Sequence, residues 1–171
     1  MSTLAHLVAR LEDAHADLVS VRPAVEAGDP WRLAGAYGVE DEAAWGPREL
    51  LAHVAEMLPY WFGEIERVLA GGPEPVPFGR IASDKARIEA IGRDRTLTIR
   101  DLFARIANGV ADYADLLDSL TPGDTERRGA HPTLGEMTIE RIIERFVVNH
   151  AEEHARQLES ILEAARVGRP A

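Results

Sequence analysis

The chain has 171 residues, 46% of them hydrophobic and 28% charged, the balance of one ordinary globular unit in which roughly 70% of the unfolded surface can be buried. Its longest run without Asp, Glu, Lys or Arg is Met1 to Ala9. That is too short for a membrane span of about 20 apolar residues, and no basic start precedes an apolar run as in a signal peptide, so no membrane partner and a cytoplasmic location are expected.

Residues 1–171 are read as a single domain, and its elements follow from periodicity. Leu4, Leu7, Val8, Leu11, Leu18, Val21 and Val25 recur at helical spacing, with Gly28 and Pro30 as a stop. Asp29 to Ala44 reads as a long connection holding Trp31 and Tyr37, with one helical turn after Asp29-Pro30. A second helix opens at Gly46-Pro47, where Glu49 favours the positive helix end, and Leu50, Val54, Met57, Leu58, Trp61, Ile65 and Val68 form its stripe. Pro59 lies within that helix and predicts a local kink. Gly71 to Arg80 is a turn-rich connection, followed by a short helix over Ser83 to Ile91. Thr98 and Asp101 form a capping pair ahead of Leu102, Ile106, Val110, Tyr113, Leu117 and Leu120, and Pro122-Gly123 end that helix. The last helix opens at Thr138 and runs to about Val167, with Gly168 and Pro170 beyond it. No segment reads as a strand. The expected fold class is all-α: a four-helix bundle with long crossover connections and a short extra helix.

The net charge of −10 repels phosphate backbones, and the basic residues are scattered, so no nucleic-acid partner is expected. Of the 19 basic residues only Lys85 is a lysine, which is read as the codon usage of a GC-rich genome in preference to a surface of bidentate Arg–carboxylate pairs. The absence of cysteine excludes disulfides, thiolate metal sites and a protein-borne thiol nucleophile. Any metal must rest on His, Asp or Glu.

Six histidines are available. Projected at 100° per residue, the last helix places His150 and His154 on the face that carries Ile139, Ile143, Phe146, Val147, Leu158 and Ile161. Imidazoles at i and i+4 stand one turn apart and can share one metal ion. The competing reading makes them core histidines satisfied by acids such as Glu153. A third ligand has two candidates: His53, at the side of the second helix's stripe, and His15, between Leu11 and Leu18 on the first. Spacing does not choose between them. His6 and His131 are weaker candidates.

Three segments carry a resemblance: Trp45-Gly46-Pro47-Arg48-Glu49-Leu50-Leu51-Ala52-His53, then His131 to Thr138, then His150-Ala151-Glu152-Glu153-His154-Ala155-Arg156-Gln157-Leu158. Trp, Glu and His at steps of four, followed by a His-x-x-x-His helix ending near Gln-Leu, resemble the DinB-like proteins. The branch concerned includes YfiT-like proteins and the bacillithiol- and mycothiol-dependent transferases. The resemblance implies a metal triad of His53, His150 and His154, leaves His15 in the core or behind the ligands, and implies a homodimer. Glu56, Tyr60 and Glu153, one or two turns from those ligands, become candidates for touching substrate or orienting a ligand.

Three neutral imidazoles suit Zn, Ni or Fe(II) and leave a coordination position open. The expected function is therefore a metal-dependent enzyme acting on a small-molecule substrate. It is either a hydrolase or an S-transferase using a low-molecular-weight thiol of the mycothiol or bacillithiol type, with a lean to mycothiol from the genome composition. A non-catalytic metal- or ligand-binding helical module is the alternative.

Overall fold

The computed structural model describes residues 4–35 and 42–167. In chain order these form α1 (Ala5–Gly28), a 3-10 turn (Glu42–Ala44), α2 (Pro47–Leu69), β1 (Val76–Pro77), α3 (Lys85–Asp94), α4 (Ile99–Ser119), α5 (Pro122–Thr125), β2 (Arg128–His131), β3 (Gly135–Thr138) and a closing helix, α6 (139–167). α1, α2, α4 and α6 make a four-helix bundle. α1 packs on α4 and α6, and α2 packs on the same two helices. The order around the bundle is thus α1, α4, α2, α6, so α1 and α2 stand on one diagonal and α4 and α6 on the other. Each diagonal step needs a crossover, and the chain supplies them in 29–46 and 120–138.

The helix starts follow their caps. Gly46 and Pro47 open α2, where Glu49 reaches back to accept the Gly46 N–H at 3.2 Å. Thr98 Oγ1 accepts the Asp101 N–H at 3.0 Å, Asp84 Oδ1 accepts the Arg87 N–H at 3.0 Å, and Thr138 Oγ1 accepts the Arg141 N–H. The predicted stripes of α2 and α4 are all buried. α2 runs unbroken through Pro59, whose ring sits on the exposed face.

The structure departs from the sequence reading in four places. The helical turn of the first crossover lies at Glu42–Ala44 and not after Asp29-Pro30; Tyr37, Gly168 and Pro170 lie outside the described residues. Pro122 does not merely end α4, because Thr121 caps a further short turn there. The short helix begins at Lys85, two residues later than expected, and ends at Asp94. A three-stranded sheet is also present, in which β1 pairs parallel to β2 and β2 antiparallel to β3. Its strands span two to four residues and carry Gly129, Gly135 and Pro77, so no alternating pattern could announce them. Gly129 is required by packing, since a Cβ there would lie 2.4 Å from the Phe78 ring. The β1–β2 pairing fixes the path of Phe78, Gly79 and Arg80.

The first crossover is pinned by two adjacent residues of α2. Glu49 is fully buried and accepts from the Ala34 N–H at 2.8 Å and from Arg95 Nη1 at 3.0 Å. Arg48 grips the Asp29 carboxylate through Nε and Nη2 and donates Nη1 to the Leu97 carbonyl at 2.7 Å. A buried carboxylate needs this full set of donors, because an unpaired charge in the interior is strongly unfavourable.

α6 contains a π-helical turn over Glu144–Val148, closed by the Asn149 N–H bonding to the Glu144 carbonyl. Buried residues step by five across it, Ile142 to Val147 and Ile143 to Val148. Arg10 of α1 braces the turn, clasping Glu152 through Nε at 2.8 Å and Nη2 at 2.9 Å and reaching Asn149 Oδ1 at 2.7 Å.

α2 and α4 meet where Gly109 faces Leu58, and the buried Tyr113 hydroxyl donates to the Leu58 carbonyl at 3.1 Å. A Cβ on Gly109 would lie 2.9 Å from the Leu58 Cβ, an atom that cannot swing aside. Gly109→Val should therefore lower stability by about 2 kcal/mol in denaturant unfolding. Wild-type stability would show slack in this contact.

Candidate metal centre

α2 and α6 bring three imidazoles together. His53 sits in the second turn of α2 on its buried side, while His150 and His154 follow the π turn of α6 at i and i+4. The His150 Nε2 lies 2.9 Å from the His53 Nε2 and 3.1 Å from the His154 Nε2. The rings stand nearly perpendicular to one another, at 85 to 88°. Among the described residues this is the one group of three or more His, Asp or Glu side chains whose donor atoms all lie within 4.8 Å of one another.

The surroundings set the protonation of these rings. Gln157 Nε2 donates to the Glu42 carbonyl at 2.7 Å, which turns its Oε1 toward His154 Nδ1 at 2.9 Å. His154 therefore carries its proton on Nδ1 and presents a bare Nε2 to the cluster. Burial pushes the His53 pKa well down, and the neighbouring histidines and the guanidinium groups of Arg87 and Arg80 push it further. His150 is lowered to about 3, chiefly by burial. His154 is lowered by burial against the opposing pull of Glu42. Three neutral rings with converging electron pairs at 2.9 and 3.1 Å repel one another unless a proton or a cation lies among them. A divalent transition metal fits this donor set, and His53, His150 and His154 could hold it.

The cluster opens on a cavity of about 220 Å³ lined by Glu42, His53, Trp61, Arg80, Arg87 and His150, with Phe146, Ile81 and Ala82. Trp61 and Phe146 stack with ring centroids 4.3 Å apart and form an apolar wall. Arg80, also in the lining, makes a double ion pair with Glu56, with Nη1 to Oε1 and Nη2 to Oε2 both at 2.6 Å. Arg87 donates to Glu42 Oε1 at 2.5 Å and to the Ala82 carbonyl at 3.0 Å. Trp45 sets its ring edge-on to His53 at 5.3 Å.

The other candidates separate clearly. Glu56 lies 4.0 Å from His53 Nδ1 but is held by Arg80. Glu153 stands 3.8 Å from His150 Nδ1 with its side chain 65% exposed. Tyr60 lies beneath the Arg80 guanidinium, 3.6 Å from the ring centroid, and its pKa is pushed up to about 12 by burial. It positions Arg80 and does not line the cavity. His15 is half-buried on α1 outside the cluster, and His6 is exposed. His131 stacks on Phe146 at 5.2 Å and donates Nε2–H to the Arg80 carbonyl at 3.3 Å. Gly79, at φ +84°, allows this approach, since a Cβ there would meet the His131 ring at 2.4 Å. Glu42, Arg80, Arg87 and Gln157 escaped the sequence reading as site residues. Only Gln157 left a signal, as the residue one turn beyond His154.

Two outcomes follow. The histidines have lowered pKa values in the fold against 6.5 for the free side chain. Below pH 6.5 the unfolded chain therefore binds more protons than the folded one, and stability falls as pH drops toward 3 and is flat above 6.5. Thermal unfolding of metal-free protein between pH 4 and 8 should show this slope, reduced in His150→Gln; an unchanged slope would mean that other groups govern it. Gln157→Leu should weaken zinc binding by about 10- to 100-fold in chelator competition, because the His154 tautomer is no longer fixed. Unaltered affinity would show that packing alone orients the ring.

Comparison with known proteins bears on the fold and the family. Among curated proteins no sequence matches the chain. YfiT from Bacillus subtilis, described as a probable metal-dependent hydrolase with an unusual four-helix bundle topology, superposes with a TM-score of 0.75 at 20% identity, covering 99% of this chain and 91% of that one. The likeness establishes the shared fold. The family model of the DinB superfamily matches residues 2–158, and the chain belongs to that superfamily.

Proposed function

We propose that the chain is a metal-dependent enzyme of the DinB superfamily in which His53, His150 and His154 hold a divalent transition metal, Zn, Ni or Fe, and a small molecule reacts in the adjoining cavity. The carrying observation is the convergence of three Nε2 atoms of neutral imidazoles on a space that opens into that cavity. The cation supplies Lewis acidity there, lowering the pKa of a water or thiol toward neutrality.

The protein's own groups supply binding and order. Gln157 and the edge of Trp45 fix the rings of His154 and His53. Trp61 and Phe146 take the apolar part of a substrate, and Arg80 and Arg87 set the charge of the lining. Two reactions are compatible with this arrangement: hydrolysis, or S-transfer from a low-molecular-weight thiol of the mycothiol or bacillithiol type. The thiol must be diffusible, because the chain has no cysteine. YfiT's description favours hydrolysis by analogy. A metal- or ligand-binding module without turnover is the second reading, favoured by the fact that both cavity arginines already face carboxylates.

Untagged protein should contain close to one equivalent of transition metal, lost in His53→Ala, His150→Ala and His154→Ala and retained in His15→Ala. Turnover of ester or amide substrates, or consumption of a thiol against a panel of electrophiles, should cease on chelation and return with added metal. A folded, metal-free wild-type protein would refute the metal centre. Bound metal without chelator-sensitive turnover would favour the binding module.

A further inference from the structure

Glu42 engages His154 at both edges of its ring. Its backbone carbonyl accepts from Gln157, whose Oε1 accepts the hydrogen bond from His154 Nδ1–H. Its carboxylate Oε2 stands 3.9 Å from the bare His154 Nε2. Two atoms that carry electron pairs and no proton thus face each other at the mouth of the imidazole cluster. Such a pairing is favourable only with positive charge between or beside them. Arg87 supplies part of that charge, donating to Glu42 Oε1 at 2.5 Å. It also holds the carboxylate outside the set of donors that lie within 4.8 Å of one another, which comprises the three histidines.

The placement makes the carboxylate movable while its backbone stays fixed. Glu42 belongs to a three-residue turn on the first crossover, its side chain is 35% exposed, and it lines the same cavity as His53 and His150. Rotation about its side-chain bonds can carry it between Arg87 and the cluster without disturbing the carbonyl bonded to Gln157. The three imidazoles are neutral, so they leave the full double charge of a divalent cation unbalanced, and Glu42 is the carboxylate among the cavity-lining residues.

Resting on the metal-centre reading above, we propose that Glu42 is a fourth, reversible donor to the cation held by His53, His150 and His154. Arg87 is the competing partner that withdraws the carboxylate and frees the position for substrate. The site then has two arrangements of one charge. With the carboxylate on the cation, the metal is retained and the site closed to substrate. With the carboxylate on Arg87, the site is open.

The test uses the full chain, stripped of metal and reloaded with zinc or cobalt(II). Glu42→Gln keeps the size of the side chain, an acceptor for Arg87 and the backbone carbonyl, so the fold and the Gln157 bond are preserved. Its zinc affinity, by chelator competition, should fall by about tenfold or more, and the visible bands of its cobalt form should change in position and intensity. Arg87→Gln, checked for folding by circular dichroism, should bind zinc more tightly than wild type. Glu42→Gln with wild-type affinity and spectrum overturns the proposal and leaves the three-histidine centre standing. Weaker affinity with an unchanged cobalt spectrum shows a remote charge effect and overturns direct donation. Folded Arg87→Gln that binds zinc more weakly than wild type overturns the competition with Arg87. Wild-type protein that takes up neither metal overturns the proposal together with the centre on which it rests.

Discussion

Three imidazole nitrogens held in contact, and kept neutral by burial, are the constraint around which this bundle is organised. Mutual repulsion of their electron pairs would drive the rings apart if α2 and α6 could separate. They cannot, because Ile65, Val68, Ile142, Ile143 and Val147 are fully or almost fully buried in the shared core. The hydrophobic core thus holds an arrangement that needs a proton or a cation among the rings, and a site preformed in this way is ready to take up a metal ion. Around the cluster, every charged group at the cavity has a partner: Arg80 with Glu56, Arg87 with Glu42. These pairs keep the cavity polar on one side without placing a bare charge in the interior.

The two diagonal crossovers explain how residues so far apart in sequence reach this point. A simple up-down bundle would join its helices with short loops and leave the cluster bare at the end. Here the first crossover brings Glu42 to the Nε2 edge of His154, and the second brings the β2–β3 hairpin against Phe78 and Phe146. Glu49 and Arg48, neighbours at the start of α2, anchor the first crossover, and His53 follows one turn later on the same helix. The Trp-Glu-His spacing therefore has a mechanical meaning: Glu49 fixes the crossover, Trp45 packs against the imidazole, and His53 faces the cluster.

Much of this was legible in the residues, and the remainder was hidden for identifiable reasons. Caps at Gly46-Pro47, Thr98 and Thr138 and the stripes of α2 and α4 are local signals, and local structure obeys them. The pairing of His150 with His154 follows from helical spacing, but the choice of His53 over His15 required the resemblance, since both lie beside apolar stripes. Glu42 and Arg87 had no signal, one sitting in a crossover and the other at the start of a short helix, because their proximity arises only when distant segments meet. The strands escaped notice because two to four residues with glycine and proline carry no period. The face of α6 was drawn with a constant 100° step, which rightly put Phe146 and Ile161 against the core, where both are partly buried, but missed Val148, Ala151 and Ala155, all three of them buried.

That last discrepancy points to the π turn. One additional residue between Ile143 and Asn149 lets the first part of α6 keep its apolar side on α2 while the later part turns by about 100° relative to an uninterrupted helix. The two halves of one helix can then answer to different demands, the first to packing and the second to the placement of His150 and His154. Arg10, reaching from α1 to Glu152 and Asn149, holds the later half at its new angle. A change of a single residue in the length of this turn, with no substitution at any histidine, is enough to swing His150 and His154 off the cavity and leave a bundle of the same shape with no centre in it.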